Sequence, residues 1–233
     1  MTTFATVPSP AACSACSTAL SVPSLLCASC GSVRAVSRMD YFQAFGLPRS
    51  TTVDTAALER EFHRLSRKLH PDRFVNAPEE EREASLAATA LLNDAYRTLR
   101  DPVKRIEYLL RLEGFEIGEE HAGKNKSANR QPPPDLLEEV FDLNMQLEEM
   151  RMNRKIGEED PALAADLTKA KARFEGLLAE VDADLTREGA VWDEGDAESR
   201  ATAATKLAAL LDRRRYLRNL VRDTNEVLST PAV

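Results

Sequence analysis

Leu69-His70-Pro71-Asp72-Arg73-Phe74 lies between two helical patterns of the same length. Pro71 has no backbone N–H and its ring crowds the preceding turn, so a helix arriving at Leu69 ends there. Upstream, Leu58, Phe62, Leu65 and Leu69 recur at offsets of 0, 4, 7 and 11, one face of a helix with Asp54 as its N-cap. Arg60, Arg64, Arg67 and Lys68 fall on the opposite side. Downstream, Ala88, Leu92, Ala95 and Leu99 repeat those offsets on a helix that opens near Pro78. Glu79, Glu80 and Glu81 suit the positive end of its dipole. Two matching stripes predict an antiparallel helical hairpin, with His70 and Asp72 displayed on its exposed connection.

Further out, Asp40-Tyr41-Phe42-Gln43-Ala44-Phe45 reads as a short helix with aromatic anchors, closed by Gly46 and Pro48. On the other side, residues 118–134 form a polar linker ending in Pro132, Pro133 and Pro134, and three helices follow at about 135–156, 160–185 and 197–228. The second repeats Leu163, Leu167, Ala170, Phe174, Leu177, Val181 and Leu185. The third offers Leu207, Leu210, Leu217, Leu220 and Val227, so the three stripes predict a small bundle. The first bundle helix carries two apolar rows where a bundle needs one. Leu136, Val140, Leu143, Leu147 and Met150 make the core row. Leu137, Phe141 and Met145 make a second row, flanked by Asp142, Glu148 and Glu149. Either a wide core takes in both rows, or the second is a partner surface rimmed by carboxylates.

Composition agrees with an all-α fold: only 9 of 233 residues are Gly, and Ala, Leu, Glu and Arg dominate after residue 40. A formal charge of −7 argues against nucleic acid as a partner, because phosphate binding wants a basic surface. No apolar run reaches the roughly 18 residues of a membrane span, and the first charged residue is Arg34, unlike the basic start of a secretory signal. A soluble, cytoplasmic chain without a membrane partner is the expectation. Four segments are predicted: a cysteine-rich extension over 1–38, the hairpin with its connecting helix over 39–112, a linker over 113–134, and the bundle over 135–233.

All four cysteines lie in the extension, as Cys13-x-x-Cys16 and Cys27-x-x-Cys30. Two such pairs supply the four thiolates of a tetrahedral structural site, which favours one zinc ion, with iron second. The ten-residue spacer is shorter than the roughly 15–20 residues of zinc ribbons, and reduced thiols in a tail are the competing reading. His70 and Asp72 lack the neighbouring nucleophile and oxyanion site that catalysis needs, and no glycine-rich phosphate loop occurs. The chain is therefore expected not to be an enzyme.

The hairpin, its basic first helix, His70-Pro71-Asp72 and the later Asn93-Asp94-Ala95-Tyr96-Arg97-Thr98-Leu99-Arg100-Asp101-Pro102 together resemble the J domain. That resemblance implies docking on a heat-shock ATPase of the DnaK/HscA class through Arg60, Arg64, Arg67 and Lys68. His70, Pro71 and Asp72 would stimulate ATP hydrolysis. Met39-Asp40-Tyr41-Phe42, Phe45-Gly46-Leu47-Pro48, Arg105-Ile106-Glu107-Tyr108-Leu109-Leu110 and Gly114-Phe115 resemble HscB, the J-protein family dedicated to iron–sulfur cluster assembly. The implied client is an iron–sulfur scaffold protein of the IscU type, bound at positions matching Leu137, Phe141, Asp142, Met145 and Tyr216. Met145 stands where that family can have a carboxylate. The cysteine extension resembles that of eukaryotic HscB-type proteins. A J protein with another client, or a zinc-knuckle interaction module, are the alternatives.

Overall fold

The structure is a computed structural model that describes residues 12, 13, 15–19, 24–34, 36, 39–117 and 133–230. Most of the predicted linker, 118–132, lies outside the described residues. The chain divides into two compact units, Met1–Leu109 and Leu110–Val233. The described residues are helical apart from loops and two isolated bridges, Ala12 to Ala19 and Leu26 to Val33.

In the first unit, helix α1 is the single turn Tyr41–Ala44, set by a capping box. Asp40 accepts from the Gln43 N–H at 2.8 Å and the Gln43 side chain accepts from the Asp40 N–H at 3.0 Å. Helix α2 (Thr55–Leu69) starts at Asp54, whose carboxylate accepts from the Ala57 N–H at 3.0 Å. After a 3-10 turn at Pro71–Phe74 comes α3 (Glu79–Leu99), which packs on both α1 and α2. Leu58, Leu65 and Leu69 are buried, as are Ala88, Leu92, Ala95 and Leu99. Each buried leucine contributes about 1.5–3 kcal/mol. Phe62 departs from the predicted row. At 100° per residue it stands at the edge of that row, where it is half-buried and stacks on Tyr96 with centroids 4.2 Å apart. Helix α4 (Pro102–Leu112) begins at Asp101, which accepts from the Val103 and Lys104 N–H groups.

In the second unit a 3-10 turn (Pro134–Leu136) leads into α5 (Leu137–Lys155), followed by α6 (Pro161–Glu194) and α7 (Ala197–Ser229). Only residues 195 and 196 join α6 to α7, so the two form an antiparallel hairpin, and α5 packs on both. Helix α6 runs nine residues beyond the predicted end at 185, because its buried row continues through Gly189 to Trp192. Arg200 closes that end: its guanidinium lies over the Trp192 ring and its Nε–H donates to the Trp192 carbonyl at 3.1 Å. On α7 it is Leu211 that is fully inside, while Leu210, one residue to the side, is half-buried.

Candidate functional site

Helix α2 ends at Leu69, and His70 takes extended backbone angles (φ −57°, ψ 129°) that start the 3-10 turn. The Arg73 N–H donates to the His70 carbonyl at 3.0 Å, and the Asp72 N–H donates to His70 Nδ1 at 3.3 Å. The side chains of His70 and Asp72 are 56% and 85% exposed. Two residues that sequence reasoning missed hold this turn in place. Leu69 supplies the last carbonyl of α2, which accepts from the Ser85 hydroxyl at 2.7 Å and the Thr89 hydroxyl at 3.1 Å. A free carbonyl at a helix end is thereby satisfied from α3, and the orientation of the next residue, His70, is tied to the hairpin core. Ser85 sits three residues before Ala88 on the buried row, and a polar residue in that register was the available signal.

Arg60, Arg64, Arg67 and Lys68 all face away from the α2–α3 contact and are exposed. Arg64 is held by Glu61, with its Nε 2.7 Å from Oε2. That hydrogen bond lowers the Glu61 carboxyl and raises the Arg64 guanidinium. The Arg67 Nε–H donates to the His63 carbonyl at 3.3 Å.

On α5, Val140, Leu143, Leu147 and Met150 are buried, and Leu136 is buried in the turn before it. Leu137, Phe141 and Met145 are instead 57%, 65% and 59% exposed. Sequence reasoning stopped there, but Met152 and Ile156 continue the same exposed row to the end of the helix. Asp142 lies exposed beside it. Tyr216 is half-buried on α7, and burial pushes its hydroxyl pKa up. Among the described residues no hydrogen bond or ring contact joins Tyr216 to the α5 row.

The four cysteine sulfurs converge within 4.8 Å of one another. Cys13 and Cys30 are 3.8 Å apart, as are Cys16 and Cys27. Zinc–sulfur bonds of about 2.3 Å in a tetrahedron require sulfurs about 3.7–3.8 Å apart, so the set fits a metal ion. A disulfide needs about 2.05 Å, and all four are free thiols. Each half is a local turn. Cys13 and Cys27 donate their N–H groups to Thr18 and Ser32, while Ser17 and Gly31 donate back to Cys13 and Cys27. The Ser32 hydroxyl, then the N–H groups of Cys16 and Ala15, bring the Cys13 thiol down to about 6. The Thr18 hydroxyl and N–H lower Cys16. Cys27 goes the other way: despite the N–H groups of Cys30 and Ser29, burial and the neighbouring Cys13 and Cys30 thiols raise it. Thiolates are the ligand form, so the donors at Cys13 and Cys16 favour metal capture.

The DnaJ domain family matches residues 40–108, which contain α1, α2, the His-Pro-Asp turn and α3. The chaperone HscB from Vibrio cholerae superposes with a TM-score of 0.55 and 26% identity, over 81% of this chain and 97% of that one. The chain is an HscB-type J-domain co-chaperone. The human co-chaperone protein HscB shares the fold, with a TM-score of 0.61 and 24% identity over 93% of this chain and 98% of that one. As an HscB-type protein the chain is a co-chaperone and not an enzyme, and it carries four cysteines positioned to bind a metal. No helix among its described residues is long and apolar enough to cross a membrane.

Proposed function

We propose that this co-chaperone binds an iron–sulfur scaffold protein of the IscU type and delivers it to a DnaK/HscA-class heat-shock ATPase. The observation that carries the client reading is the exposed row Leu137, Phe141 and Met145 beside Asp142 on a helix that already has a complete buried row. Apolar area left in water on a helix with its core satisfied is a cost that a partner relieves. The resemblance to HscB adds Tyr216, half-buried on α7, to that surface. His70, Pro71 and Asp72 stimulate ATP hydrolysis, and Arg60, Arg64, Arg67 and Lys68 steer an acidic patch of the ATPase onto α2. The four cysteines hold zinc as a structural ion, and the protein works in the cytoplasm.

The test is the ATPase rate of the DnaK/HscA-class partner with the co-chaperone, with and without the scaffold protein. His70→Gln abolishes stimulation while shifting stability by less than about 0.5 kcal/mol, as exposed substitutions do. Leu137→Ala with Phe141→Ala weakens scaffold binding by about 2–4 kcal/mol, the scale of interface anchors, and leaves stimulation by the co-chaperone alone intact. Full scaffold affinity in that double variant assigns the α5 row to a different client.

A further inference from the structure

A cleft of about 820 Å³ opens between the second half of the cysteine knuckle and the J-domain hairpin. Its volume lies within the about 300–1,000 Å³ of ligand clefts. One wall is Leu25, Leu26, Ala28 and Gly31, together with Cys27 and Cys30. The facing wall carries Arg64 and Lys68 from α2 and Arg73 from the His-Pro-Asp turn, with Phe45 and Phe74 beside them. Lys68 and Arg73 make no ion pair among the described residues, and the single carboxylate in the lining, Glu61, is engaged by Arg64. On the knuckle side Leu25 and Cys27 are buried while Ala28, Cys30 and Gly31 are exposed, and N–H groups of the same turn, from Cys30 and Ser29, point at Cys27. The wall therefore offers mostly carbon to a facing side that is net positive, with Lys68 and Arg73 beside the Arg64–Glu61 pair. A low-dielectric wall opposite a net positive side concentrates its field on whatever enters.

The two halves of the knuckle are each closed by local turn bonds, and they are joined by the convergence of the sulfurs and by the hydrogen bond between Cys13 Sγ and the Ser32 hydroxyl at 3.3 Å. We infer that the metal-loaded knuckle is the second wall of the ATPase docking site, and that an acidic segment of the ATPase enters the cleft against Arg64, Lys68 and Arg73. Metal occupancy then sets affinity for the ATPase, since without the ion residues 24–34 are left with the Cys13–Ser32 hydrogen bond and thiol contacts in place of four metal bonds, and the wall loosens. This rests on the ATPase reading above.

The experiment uses the full chain, zinc-loaded or stripped by a chelator under reductant, and measures its Kd for the DnaK/HscA-class ATPase. Stripping weakens binding at least about fivefold, the effect of losing a complementary wall rather than a single contact. Ala28 is exposed on the wall, between two ligands but not one itself. In the loaded protein Ala28→Glu, which places a like charge beside an entering acidic segment, weakens binding about threefold. Its partner is Lys68→Glu, which reverses a cation across the cleft and weakens binding more than Ala28→Glu does. In stripped protein the effect of Ala28→Glu disappears while that of Lys68→Glu stays. Affinity indifferent to metal, or an Ala28→Glu effect of equal size in both forms, overturns the inference and leaves the ATPase reading standing. No binding by loaded wild-type protein overturns both.

Discussion

Two helices of similar length, α2 with 15 residues and α5 with 19, turn opposite chemistries outward. Both bury one apolar row, Leu58, Leu65 and Leu69 on α2 and Val140, Leu143, Leu147 and Met150 on α5, so both are anchored in the same way. Outside that row α2 carries Arg60, Arg64, Arg67 and Lys68, whereas α5 carries Leu137, Phe141, Met145, Met152 and Ile156. The charged face costs nothing in the free protein because water solvates it, and it recognises a partner at long range. The apolar face is recognised only on contact, when water leaves it. The difference teaches that burial and periodicity locate the core in both helices, while the chemistry of the remaining face indicates the kind of partner.

The largest expected effect separates the two rows of α5. Leu143→Ala, at a residue 1% exposed, lowers stability by about 2–5 kcal/mol in a denaturant melt, as large-to-small core changes do. Phe141→Ala, although it removes a larger side chain, costs under about 1 kcal/mol. Equal losses in the two variants would place both rows in the core and dissolve the contrast with α2.

Salt gives the next effect. Raising NaCl from about 50 to about 200 mM shortens the screening length to well under about 10 Å, and weakens ATPase binding through α2 several-fold. Scaffold binding through α5 changes by less than about twofold under the same conditions. Titrations of the two partners in parallel check this, and equal salt dependence would mean that carboxylates such as Asp142 dominate at α5 as well.

The smallest effect belongs to the pair that ties the start of α5 to α7. Arg213 grips both oxygens of Asp135, at 2.9 and 2.7 Å, and that hydrogen bonding holds the Asp135 carboxyl below its ordinary value of 3.8. A depressed folded-state pKa contributes stability above the unfolded value and loses it as pH falls through the folded one. Arg213→Ala therefore costs under about 1 kcal/mol at neutral pH, as exposed pairs do, and the gap from wild type closes below the ordinary carboxylate range. A gap that persists in strong acid would assign the loss to packing of the arginine stem rather than to its charge.

Local patterns in the chain determined much of this protein. The spacing of Leu58, Leu65 and Leu69 and of Ala88 to Leu99 dictated the hairpin, Pro71 its break, and two CxxC pairs the sulfur cluster, because helix period and ligand spacing are properties of neighbouring residues. Tertiary structure alone decided which of α5's two apolar rows was covered, since both have the same period and only α6 and α7 choose between them. It also extended α6 past Leu185 to Glu194, where α7 covers Trp192, and it turned Phe62 from the core onto Tyr96. Ser85 and Thr89 reach the Leu69 carbonyl across 16 and 20 residues, and the knuckle meets Arg64, Lys68 and Arg73 across a longer interval still. Contacts of that kind depend on how elements pack, which no local period encodes.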